Sequence, residues 1–199
     1  MPQPQLLFLG FRLAHCAPPP VGWGHSPQTD RIMAVCNVSG CAAGRDWSWE
    51  LNLNRARCLN TIEEALAEGV DPADEDRSHY KLCAYQALPL IFGPTGVEMP
   101  AATELFDSLL PPLPPEADLS DFVGLGYDVV EYRVRPGQPN LPFGCSPLFC
   151  NGMAHLFWVN AYCLLPDLAT AQQVAAFFGK DQPEPGPYII VEVLEKVNA

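Results

Sequence analysis

The 199-residue chain has no apolar run long enough to span a bilayer, so no transmembrane helix is expected. It holds 8 cysteines but no Cys-x-x-Cys pair. Neither a small disulfide-stapled secreted domain nor a thioredoxin-like redox site fits that spacing. Gly-x-Ser-x-Gly, P-loop, Gly-x-Gly-x-x-Gly and His-Glu-x-x-His motifs are all missing. No nucleophile elbow, nucleotide cradle or zinc-protease helix is therefore written in the chain. Charged residues make up only 17%, too few for a solvated disordered polymer. Basic residues are the scarcer of the charged ones, 11 Lys and Arg against 23 Asp and Glu.

What is present is the composition of a core-forming protein, 48% hydrophobic, with 22 prolines. Proline at about twice its usual share of roughly 5% puts much of the backbone in turns and extended connectors. The net charge is −12, and residues 61–131 carry the excess, with 15 acids against 2 bases. Such a surface repels phosphate, which argues against nucleic acid and anionic membranes as partners and suits a basic protein. Reduced thiols in a cytoplasm are the natural setting for cysteines spread through a chain of this size.

The first residues look marginal. Leu6-Leu7-Phe8-Leu9-Gly10-Phe11 is apolar, but no Lys or Arg precedes it and Arg12 follows, a poor signal peptide. Residues 17–30 are rich in Pro, Gly and Ser. The reading is a poorly ordered extension over 1–32, or a mis-assigned start with Met33 as the true one. Residues 33–199 then form a single α+β domain.

Within that domain Trp47, Trp49, Leu51 and Leu53 alternate with polar residues, as in a half-buried strand. Thr61 and Glu64 have capping-box spacing for a helix over 61–68. Asp71-Pro72 opens a second helix, drawn to about Ala87, and Pro100 opens a third. Pro111-Pro112-Leu113-Pro114-Pro115 is a stiff connector at 111–115. Leu125, Tyr127 and Val129 alternate and then Val130, Tyr132 and Val134 take the opposite phase, which suggests a bulge near Val129-Val130. Leu156 to Leu165 reads as a buried strand and Asp167 as the cap of a helix that Gly179 stops. Tyr188 to Val197 reads as a last strand with Ile189, Val191 and Val193 on one face. The fold expected is α+β: a mixed β-sheet with a C-terminal β-α-β unit and a helical middle segment.

Chemistry concentrates in Cys145-Ser-Pro-Leu-Phe-Cys150-Asn-Gly-Met-Ala-His155. Thiolate and imidazole ligate borderline metals and act as nucleophile and base. Cys145, Cys150 and His155 are thus the candidate catalytic residues and the candidate metal ligands. Zinc is the ion they would take, although no motif demands a cofactor. With Cys163 the order is that of a zinc knuckle, but both cysteine spacings are longer than a knuckle uses. The same segment reads equally as packing, with Ser146-Pro147 starting a turn and Asn151-Gly152 ending it. Glu63, Glu64 and the 71–76 acids read as solvated helix faces. The functional expectation is a small acidic protein-binding module of the immunity or accessory kind. Its alternative is a thiol- or metal-dependent enzyme centred on Cys145, Cys150 and His155.

Overall fold

A computed structural model describes residues 5–16, 18, 29–33, 35, 61–68, 80–93, 98–99, 117–132, 145–150, 153–181 and 187–197. Its strands are β1 (Leu7–His15), β2 (Tyr80–Ala87), β3 (Ile91–Phe92), β4 (Glu98–Met99), β5 (Phe122–Glu131) and β6 (Tyr188–Lys196). Its helices are α1 (Ile62–Glu68), the single turn α2 (Pro147–Cys150) and α3 (Leu168–Asp181), with a 3-10 turn at Met153–Leu156. None of the described helices is long and apolar enough to cross a membrane.

β6 is the spine of an α+β fold in which sheet predominates. β5 pairs along one of its edges from Phe122 opposite Lys196 to Glu131 opposite Tyr188. β2 takes the other edge, from Cys83 opposite Glu195 to Ala87 opposite Val191, and β3 continues there with Phe92 opposite Tyr188. β1 lies outside β2, and β4 outside β3. Every strand pairing among the described residues is antiparallel, not mixed.

Both faces of the sheet are covered, which is why β6 carries the near-continuous apolar run Tyr188-Ile-Ile-Val191. On one face Tyr85, Val130, Ile189, Val191 and Val193 meet Met33, Val35 and Leu164. On the other, Ala171, Val174, Ala175 and Phe178 of α3 pack against Val129, Tyr188 and Ile190. Farther along that face, Ala65 of α1 sits over Phe11 and Ala84. Fully burying side chains such as Ile189 or Val191 contributes about 1.5–3 kcal/mol each.

The local signals act as expected at two helix starts. Glu64 N–H donates to Thr61 Oγ1 at 3.1 Å and Thr61 N–H to Glu64 Oε2 at 3.3 Å, a reciprocal capping box. Thr170 N–H donates to Asp167 Oδ1 at 2.8 Å, and these bonds hold the Asp167 carboxyl below its ordinary range. α3 nevertheless runs past Gly179 to Asp181.

Four expectations are corrected. Tyr80–Ala87, drawn as the end of a helix, is strand β2. Its Cys83, Ala84, Tyr85 and Ala87 are buried, and burial on both faces hides a period of two. Leu156–Leu165 is not a strand paired in parallel with β6; only Leu165 bridges, antiparallel, to Tyr127 of β5. The bulge in β5 lies at Gly124/Gly126 and not at Val129-Val130. Those two valines are consecutive because each serves a different buried face. Finally, Leu7–His15, inside the stretch assigned to an extension, pairs along its length with β2. The Trp47–Leu53 strand, the helix from Pro100 and the connector at 111–115 lie outside the described residues.

Candidate functional site

The chain from Cys145 to Leu165 forms an excursion fastened at both ends to the outer edge of β5. At its root Glu131 N–H donates to Cys145 O at 2.8 Å. At its return Tyr127 and Leu165 exchange both backbone bonds, each at 2.8 Å. Asn160 organises the return turn. Its Nδ2 donates to Leu125 O at 2.6 Å, while Oδ1 accepts from Tyr162 N–H at 2.9 Å and Leu164 N–H at 3.2 Å. Within this turn Cys163 adopts φ 61°, a left-handed conformation uncommon outside glycine. Gly126, at φ 140°, lets the return approach, since a Cβ there would stand 2.6 Å from Leu165 O. Crossing over this region, Asp30 and Arg31 N–H groups both donate to Ala161 O at 2.9 Å.

The inner side of the excursion is core: Leu148, Phe149, Ala154 and Val159 join the cluster under α3. Its outer side is unusually apolar. Leu156 is 53% exposed, Trp158 66%, and Phe177 of α3 38%. Between them Phe157 meets Phe177 edge-on at 5.5 Å and Phe178 at 5.6 Å. An indole left this open forgoes a large part of the burial energy an aromatic ring supplies.

Beneath the root lies a buried polar centre. Asp128, on β5 and 2% exposed, accepts from Ser146 Oγ–H at 2.6 Å through Oδ1 and from Val35 N–H at 3.0 Å through Oδ2. No Lys, Arg or His among the described residues pairs with it. Burial pushes its carboxyl up to about 6, against the opposing pull of the Ser146, Val35 and Val129 hydrogen bonds. On the opposite face Tyr127 Oη–H donates to Glu192 Oε1 at 3.1 Å. Burial, reinforced by Glu192, pushes that phenol up to about 12.

The sequence candidates are placed as follows. Cys145 is half-buried at the root, with its carbonyl in the bond from Glu131. His155 is exposed on the 3-10 turn. Cys150 ends α2, and its side chain is outside what is described. No group of three or more His, Cys, Asp or Glu that could hold a metal ion occurs there. Cys163 is buried, and burial pushes its thiol up to about 12, away from the thiolate that ligation or nucleophilic attack needs.

Sequence reasoning missed Asp128, Ser146 and Trp158. A lone acid inside the apolar run of β5 was the available sign of the first. Trp158 carried no sign, since it sits in an apolar stretch that reads as buried. No protein-family model, no curated protein and no solved structure matches the chain.

Proposed function

We propose that the chain is a cytoplasmic, acidic protein-binding module of the immunity or accessory type. It grips a basic protein partner through Leu156, Trp158 and Phe177. The observation that carries this reading is Trp158, 66% exposed on an excursion whose ends are fastened to β5. Exposed aromatic clusters on rigid supports are typical interface anchors, since little ordering entropy is lost on docking. The partner's chemistry follows from charge. A net −12, concentrated in residues 61–131, attracts Lys- and Arg-rich surfaces, and their cations stack favourably on an open indole. Unbridged thiols at Cys16, Cys83 and Cys163 support the cytoplasmic setting.

The test is photo-crosslinking from position 158 in the native host, followed by purification of the captured protein and titration against the full chain. A basic partner whose binding weakens at least about 10-fold on Trp158→Ala, and weakens further with salt, is the expected result. A captured protein that binds Trp158→Ala as tightly as the wild type overturns it. The melting temperature of the variant, unchanged, verifies that only the surface was altered.

A further inference from the structure

A carboxylate deep in a protein is normally matched by a cation, because an isolated buried charge is costly. Among the described residues Asp128 departs from that rule, being held by neutral donors. Val35 and Ser146 lie 93 and 18 residues away from it in sequence. Ser146 is itself fully buried at 0% exposure. We infer that Asp128 is a proton-controlled latch: it joins β5, the Val35 crossing and the root of the aromatic excursion, and its protonation tightens the seating of that excursion.

The geometry accommodates both protonation states. An O···O separation of 2.6 Å suits a proton carried by either oxygen. With the carboxylate ionised, Ser146 donates. With it protonated, Asp128 donates to Ser146 Oγ while its other oxygen still accepts from Val35 N–H. The contacts to Ser146 and Val35 are both kept on protonation, and the desolvated charge disappears.

The described groups around it neither supply a counter-charge nor titrate in its place. From β1, Arg12 faces this side of the sheet but donates to Val35 O at 3.2 Å. From β6 the residue opposite is Val191, and Glu195 farther along the same face is held by Lys81 at 2.8 Å. From β2 come Cys83, Tyr85 and Ala87, and from just past the end of β5 Tyr132, the Cys83 thiol and the Tyr132 phenol raised by burial and therefore neutral. The return turn contributes Cys163, also neutral, and the crossing segment contributes the Thr29 hydroxyl, with Asp30 and Arg31 exposed. Cys145 and Ser146 represent the excursion. Glu131 and Glu192 belong to the opposite face, where Tyr188 and Tyr127 are their cross-strand partners.

Acidification therefore favours the closed state. Closed, the carboxyl holds its proton up to about pH 6; opened to water, it releases it near the ordinary value of about 4. Hydrogen exchange on the full chain, corrected for intrinsic rates, reads the opening of residues 145–165 at pH 5.0 and 7.5. Opening is expected to be about 10-fold rarer at pH 5.0. In Asp128→Asn, whose amide donates to Ser146 and whose carbonyl accepts from Val35, opening is expected to be the same at both pH values and about 10-fold rarer than in the wild type at pH 5.0, where the opened wild-type carboxyl is already ionised. Wild-type opening that does not change with pH, or an Asn variant that keeps the change, overturns the latch. A carbon-13 NMR titration of the wild-type Asp128 carboxyl gives an independent reading should the variant fold poorly. A midpoint near 6 supports the latch, and one below about 4.5 overturns it.

Discussion

Removing residues 1–32, so that the chain begins at Met33, strips β1 from the sheet. Leu9 and Phe11, 4% and 5% exposed, leave the core with Ala14 and Cys16. The two large side chains contribute about 1.5–3 kcal/mol each. The ladder from Leu7 opposite Ala87 to His15 opposite Tyr80 goes with them, at about 0.5–1.5 kcal/mol net per hydrogen bond. Cys83, Ala84, Tyr85 and Ala87, all at or below 1% exposed, would then be partly bared on β2. The two side chains alone account for about 3–6 kcal/mol, and the ladder adds to that, a large share of the roughly 5–15 kcal/mol that holds a typical domain together. Urea titrations of the full chain and of residues 33–199, followed by far-ultraviolet circular dichroism in one buffer, make the comparison. The full chain is expected to unfold cooperatively, and the shorter one to show no cooperative transition or a midpoint displaced far downward. A shorter chain with the same midpoint and the same denaturant slope would refute the reasoning, because β1 would then contribute nothing to the core.

Gly126→Ala drives a Cβ to 2.6 Å from Leu165 O at φ 140°, and is expected to cost about 2–4 kcal/mol in urea titration and to speed exchange of the Leu165 amide. No change in either would show that the return of the excursion does not need a glycine. Cys83 and Cys163, buried with thiols raised by burial, are expected to resist iodoacetamide at pH 8 in the native protein and to label fully in urea. Native labelling as fast as in urea would contradict their placement. For the whole molecule, Asp128 contributes stability that is full below about pH 4 and lost as pH rises to about 6. The native state holds the proton over that interval and the unfolded chain does not. The change is about 3 kcal/mol over that interval. Thermal melts of the wild type and Asp128→Asn between pH 4 and 7 check it, the variant being expected to lack this component.

Elements governed by near neighbours were legible. The Thr61/Glu64 pair marks α1 and Asp167 marks α3, because a cap is completed within a few residues of itself. Ile189, Val191 and Val193 were correctly placed on one face of β6. Tyr80–Ala87 was not legible: a strand buried on both faces has no polar alternation to betray it. Leu156–Leu165 failed for the opposite reason. Its apolar residues include an exposed Trp158, and its turn is organised by Asn160 bonding to Leu125 on another strand.

The candidate site divides along the same line. Cys145, Cys150 and His155 stood out by residue type, yet the side chain with the clearest physical role in that stretch is Ser146, which draws its meaning from Asp128. Composition and local spacing by themselves determined the acidic character, the α+β class, two helix starts and the final strand, since these depend on residue identity and contacts of short range. Only the tertiary structure decided that Leu7–His15 belongs to the sheet, that a carboxylate is buried with no counter-ion among the described residues, and that an indole faces solvent. Burial and pairing are set by chain segments tens of residues apart, and no local pattern carries them.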